Sequence, residues 1–107
     1  MEGAEIMIKD IETHPYDAAE FITTEEDAVA TLEAAFEDGD PAVIAKMLGA
    51  VARSHGMTEI AKRAGKSREA LYKALSADGN PTLSTLVAVL ESLGLRLAVV
   101  PLGPKAA

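Results

Sequence analysis

The sequence predicts a mainly all-α fold that closes on a short C-terminal β-strand. Three observations lead there. Apolar residues recur at spacings of three and four in several segments, as one buried helix face requires. Helix-start and helix-stop residues bound those segments, with Asp40-Pro41 opening one and Gly39, Gly56 and Gly94 closing three. After Gly94 the pattern changes to Leu95-Arg96-Leu97-Ala98-Val99-Val100, which alternates and is β-branched at its end. With 107 residues, 49% of them hydrophobic, the chain suits one domain with its own core.

Residues 1–16 read as an arm, either a short strand around Ile6-Met7-Ile8 or a flexible lead, with His14-Pro15 favouring extended backbone. Residues 16–22 suit one helical turn with Phe21 and Ile22 inward. Thr23 and Glu26 have the spacing of a capping box, and Val29, Leu32 and Phe36 then form an inner stripe. Gly39 ends that helix. Asp40 caps the next, with Pro41 at its first position, and Val43, Ile44, Met47, Leu48 and Val51 form its apolar face up to Gly56. Two shorter helices are expected over 58–64 and 67–75, broken at Gly65-Lys66. The cluster Ala77-Asp78-Gly79-Asn80-Pro81 is a turn. Thr82 caps a last helix with Leu83, Leu86, Val87, Leu90 and Leu93 on one side. A strand over 95–101 follows, and Pro101 ends it. Residues 17–102 therefore read as a single domain, and 103–107 as a flexible tail.

Composition narrows the chemistry. Cysteine is absent, which excludes disulfides, thiolate metal sites and a cysteine nucleophile. His14 and His55 are isolated, so no metal site is expected, and neither a nucleophile–base set nor a phosphate-cradling glycine loop is present. The chain reads as a non-enzyme without a cofactor. No apolar run is long enough to span a membrane, and the start lacks a secretory pattern, so a soluble cytoplasmic protein is expected.

The formal net charge of −7 argues at first against nucleic acid. It divides unevenly, however. Residues 1–50 hold thirteen acidic and two basic residues, net −11, whereas residues 51–107 hold four acidic and eight basic residues, net +4. Such asymmetry fits two partners of opposite sign, and it equally fits two solvated surfaces.

Residues 57–76 combine the parts of a helix-turn-helix. Ala61 is small enough for close helix approach, Gly65 permits the turn, and Ser67 caps the second helix. Ile60, Ala64, Leu71 and Ala74 point inward, leaving Arg68, Glu69, Tyr72 and Lys73 outward.

This pattern resembles the repressor-type (Xre/Cro/cI-like) helix-turn-helix family, with matches at Ala61, Gly65 and Leu71 and a departure at Lys66, where that family usually has an apolar turn residue. The run Gly56-Met57-Thr58-Glu59-Ile60-Ala61 and the segment from Ser67 to Ser76 narrow the resemblance to addiction-module antidote proteins, the HigA-like antitoxins. So do Gly79-Asn80-Pro81-Thr82, Gly94-Leu95-Arg96-Leu97 and the acidic lead-in from Phe21 to Ala28. The resemblance implies a repressor-like helical bundle with an extra N-terminal helix. It further implies an antitoxin that pairs with a small basic toxin of the RelE/ParE-like fold and represses its own operon.

Candidate DNA-binding residues on this reading are Thr58, Lys66, Ser67, Arg68, Glu69, Tyr72 and Lys73. Arginine and lysine suit guanine edges or phosphates, tyrosine a phosphate or thymine methyl, and Glu69 a cytosine amine. Arg53 and Lys62 would add positioning charges near the backbone. Glu25, Glu26, Glu33 and Glu37 are the candidate toxin-binding residues, and they also read as the wet face of an amphipathic helix. Leu95, Leu97 and Val99 line one face of an apolar edge that needs pairing, either with Ile6 to Ile8 or with the same strand of a second chain. A homodimer would place two recognition helices on operator half-sites. Two other readings remain open: a stand-alone transcriptional regulator with no toxin, and a protein-interaction module that has lost DNA binding.

Overall fold

A computed structural model of the chain describes residues 18–103. The expected arm over 1–16 and nearly all of the 103–107 tail lie outside the described residues. A 3₁₀ turn, Ala18–Phe21, leads into five α-helices: α1 (Glu25–Asp38), α2 (Pro41–His55), α3 (Met57–Ala64), α4 (Arg68–Ala74) and α5 (Leu83–Ser92). Helix α2 is central, touching α1, the 3₁₀ turn, α3 and α4, while α5 packs on α3.

Each helix begins where a side chain satisfies a free amide, or at a glycine. Thr24 caps α1: its hydroxyl accepts from Asp27 N at 3.0 Å, and the Asp27 carboxylate accepts from Thr24 N at 3.1 Å. The capping box therefore sits one residue beyond the Thr23–Glu26 spacing expected. Thr23 joins it differently, donating its amide and hydroxyl to the same Asp27 oxygen, each at 3.0 Å. Asp40 accepts from Ala42 N at 3.0 Å, with Pro41 in the first turn of α2. Gly56 has φ +114° and serves both as the end of α2 and the start of α3.

The joint between α3 and α4 follows from Gly65, at φ +71°. Its amide donates to Lys62 O at 3.3 Å, and Lys66 N donates to Ala61 O at 2.9 Å. These two bonds close the helix end in a Schellman motif. Ser67 then accepts from Ala70 N at 3.0 Å and starts α4. The same motif closes α5, where Gly94 N donates to Glu91 O at 3.0 Å and Leu95 N to Leu90 O at 2.8 Å.

Leu48, Val51, Ile60, Leu71 and Val89 are the largest fully buried side chains. Each adds roughly 1.5–3 kcal/mol by leaving water, against about 1 kcal/mol for a cap. Packing therefore holds α3 and α4 in place, and the caps fix where they start.

Burial departs from the sequence expectation at several residues. Phe21, expected inward, is 73% exposed, while Ile22 beside it is buried. Phe36, four residues after Leu32 on the same face of α1, stays 39% exposed, whereas Leu32 and Ala35 are buried. Leu83 is 70% exposed, since the buried face of α5 runs through Thr85, Val89, Leu90 and Ser92. Val43, Ile44 and Met47 are half-buried, and the deepest part of α2 is its run of small residues around Leu48. Residues 95–103 carry no regular secondary structure, so the strand expected over 95–101 is not seen among the described residues, and its expected pairing with Ile6 to Ile8 lies outside them. A strand needs a laddered neighbour, and no described residue supplies one.

Candidate nucleic-acid interface

The two short helices expected over 57–76 form as α3 and α4, with Ile60, Ala61 and Leu71 buried beneath them and Ala64 and Ala74 half-buried. Every candidate residue named on this pair, Thr58, Lys66, Ser67, Arg68, Glu69, Tyr72 and Lys73, is exposed. Ser67 has a structural duty as the cap of α4. Lys66 points no stem into the core; its backbone amide closes the turn, so the position needs no apolar side chain.

Arg68 and Tyr72 lie one turn apart on α4, with the guanidinium carbon 5.7 Å from the ring centroid. Stacking of this kind steadies an arginine fork that would otherwise sweep freely. Both residues line an open groove together with Thr58 of α3, Arg53 of α2 and Glu20 of the 3₁₀ turn. Glu20 reaches this edge through the packing of the 3₁₀ turn on α2, which no local sequence pattern announces. Arg53, expected as a positioning charge, is here half-buried in the groove wall.

Arg63 has a different role from the other cations. Its Nε donates to Glu59 Oε2 at 3.0 Å, and its Nη1 donates to the Ser92 carbonyl at 3.0 Å. The arginine thus ties α3 to the C-terminal end of α5, where positive charge is favoured. The contact spans 29 residues in sequence, so no local pattern announces it.

The acidic residues of α1 separate into two groups. Glu26, Glu33 and Glu37 fall on one stripe at 3.6 residues per turn, and all are exposed. Glu25 sits a quarter turn away, beside a groove lined by Ile22, His55 and Leu95. Asp27 is committed to the helix start: the Thr23 amide, then the Thr23 hydroxyl and the Thr24 amide, hold its carboxyl below the ordinary aspartate value. In the C-terminal segment Leu95 packs against the core, Leu97 is partly exposed and Val99 is wholly exposed. Among the described residues no helix is long and apolar enough to cross a membrane.

These features define a small helical protein with a cation-bearing helix pair and a separate acidic helix. A family model described as "probable addiction module antidote protein" matches residues 12–101, and the chain belongs to that family. A Haemophilus influenzae (strain Rd) protein, described as an uncharacterized protein, is 42% identical over 84 residues, covering 78% of this chain and 87% of the relative. No solved structure matches the chain. Membership supports an antidote role in an addiction module, and an antidote implies a cognate toxin as partner.

Proposed function

We propose that the chain is the antitoxin of a type II toxin–antitoxin module. It neutralises a small basic toxin of the RelE/ParE-like fold in the cytoplasm, and it binds operator DNA as a homodimer to repress its own transcription. The α3–α4 pair is then a helix-turn-helix with α4 as recognition helix. Arg68 and Tyr72 reach base edges, and Thr58, Lys66, Ser67 and Lys73 hold the backbone. Glu69 accepts from a base amine. Glu26, Glu33 and Glu37 form the acidic stripe that meets the toxin, with Glu25 at its margin.

The observation that carries this reading is the exposure of Lys66, Arg68, Tyr72 and Lys73 together on one short helix and its turn, in a chain of the antidote family. Two measurements test it. The product of the neighbouring reading frame should co-purify with the chain. A promoter fragment should shift in a native gel with an affinity that falls as salt rises, since phosphate contacts release counterions. A promoter shift without a co-purifying basic protein would leave a stand-alone regulator. Absence of both would sink the proposal.

A further inference from the structure

We propose that Glu20 is a specificity-determining residue of the nucleic-acid interface. Its carboxylate repels phosphate from the groove where Arg68 lies, and so reserves that arginine for a base edge. This rests on the DNA-binding part of the proposed function and adds the residue that turns other DNA away.

Glu20 comes to the groove from outside the helix pair. It belongs to the 3₁₀ turn Ala18–Phe21, which packs on α2, and it shares the groove wall with Arg53, Thr58, Arg68 and Tyr72. The groove holds about 390 Å³, room enough for a phosphate group. Its charged side chains are the two arginines and this one carboxylate. Glu20 is exposed and, among the described residues, has no hydrogen-bond or ion-pair partner. Other carboxylates have structural duties: Asp27 and Asp40 cap α1 and α2, and Glu59 pairs with Arg63. The guanidinium of Arg68 lies over the Tyr72 ring at 5.7 Å. Such stacking occupies the face of the guanidinium and leaves its in-plane N–H donors for a ligand.

A duplex offers those donors two classes of acceptor. Phosphate presents the same oxygens at every sequence, whereas the O6 and N7 pair appears only where guanine stands. A phosphate drawn to Arg68 within the groove brings its full negative charge to the Glu20 carboxylate. A base edge brings none. The repulsion thus falls on the contact that ignores sequence and spares the contact that reads it, which raises specificity by disfavouring the competitor. Position decides this effect, and net charge does not. The chain is already at −7, and the field of an exposed charge is largely screened beyond about 10 Å in ordinary salt. A carboxylate elsewhere on the surface therefore cannot draw the same distinction.

Glu20→Gln removes the charge at nearly constant shape. Its control is Glu91→Gln, which takes the same charge from an exposed position on α5 outside the groove. Both variants of the full chain are titrated with the promoter fragment and with a scrambled duplex of equal length, at matched salt. Circular dichroism checks that each retains its helices. Glu20→Gln should tighten binding to the scrambled duplex by about three- to tenfold, and to the promoter fragment by less than about twofold. Glu91→Gln should leave the ratio of the two affinities unchanged. The gain on scrambled DNA should vanish when Arg68→Ala is added, because the two residues then no longer share a ligand. Equal tightening on both duplexes would reduce Glu20 to a general surface charge, and weaker promoter binding would make it an acceptor for a base amine. Either result overturns the proposal, as does a ratio that Glu20→Gln leaves unchanged or a gain that survives Arg68→Ala. In each of those cases the parent chain still prefers the promoter fragment, and the DNA-binding reading stands. A parent chain that binds neither duplex overturns that reading, and this inference with it.

Discussion

Gly49 of α2 lies directly against the main chain at Leu75, where α4 ends: a methyl group at Gly49 would overlap the Leu75 carbonyl oxygen and lie 3.3 Å from its Cβ. Glycine inside a helix gives up about 1 kcal/mol relative to alanine, so close approach is the reason to keep it. Gly49→Ala forces α4 outward, and overpacking of this kind costs about 1–3 kcal/mol. The two effects oppose each other, and the steric one should win, because the obstructing atoms belong to backbone. Urea unfolding should show a net loss of stability. A gain would mean that α4 moves aside freely.

Arg68 and Lys66 should differ in kind as DNA contacts. Arg68→Ala is expected to weaken operator binding by about 1–3 kcal/mol and to relax preference at one base position. Lys66→Ala should weaken binding alike across sequences and reduce the salt slope by about one. Titration of operator and scrambled duplexes at several salt concentrations reads both signatures.

Lys62 and Arg63 are neighbours on α3 with opposite expectations. Arg63→Ala removes the donor to the Ser92 carbonyl and should cost about 1 kcal/mol of stability, because the side chain is half exposed. It should leave the salt slope of DNA binding unchanged. Lys62→Ala should leave stability unchanged and lower that slope. Thermal melts and salt-dependent binding of the pair check the assignment.

Asp27 gives a pH dependence with a definite sign. Its carboxyl is held below the ordinary aspartate value by the Thr23 amide and hydroxyl and the Thr24 amide. A depressed folded-state value stabilises the fold above the ordinary range, and that contribution fades as pH falls through the folded-state value. Asp27→Asn should therefore be less stable than the parent near neutrality, with the gap closing in acid. Paired urea midpoints across the acid range measure it.

The stripe Glu26, Glu33 and Glu37 should act on association rate more than on lifetime. Changing all three to Gln is expected to slow capture of the toxin most at low salt, with operator affinity unaltered. Stopped-flow association at two ionic strengths provides the check.

Much of this architecture is legible as local punctuation. Gly39, Asp40-Pro41, Gly56, Gly65, Ser67, Thr82 and Gly94 each govern backbone within a turn of themselves, and each stands at the helix end expected of it. The first capping box lies one residue from its expected place, because Thr23-Thr24 followed by Glu25-Glu26-Asp27 satisfies the spacing twice. Burial is harder to read. Phe21 and Leu83 have apolar side chains, yet among the described residues no neighbour covers them, a fact that depends on tertiary placement. The same holds for the candidate site: exposure of Arg68, Tyr72 and Lys73 follows from helical spacing, whereas Glu20 in the groove and Arg63 on α5 depend on long-range packing. Gly49 gives no signal either, since a glycine within an apolar stripe looks like a gap.

Gly56 has a mechanical consequence. It is the whole of the corner between α2 and α3, and its amide is already bonded to the carbonyls of Ala52 and Arg53. There is no linker here to lengthen or shorten. One residue inserted into α2 ahead of that corner turns everything beyond it by about 100° about the helix axis, carrying Leu48's neighbours out of register with α3 and swinging Arg68 to another compass point. The aim of the α4 face is thus counted in whole residues from Asp40 to Arg68, and drift in chain length there should be tolerated far less than in the turn around Asp78 or after Gly94.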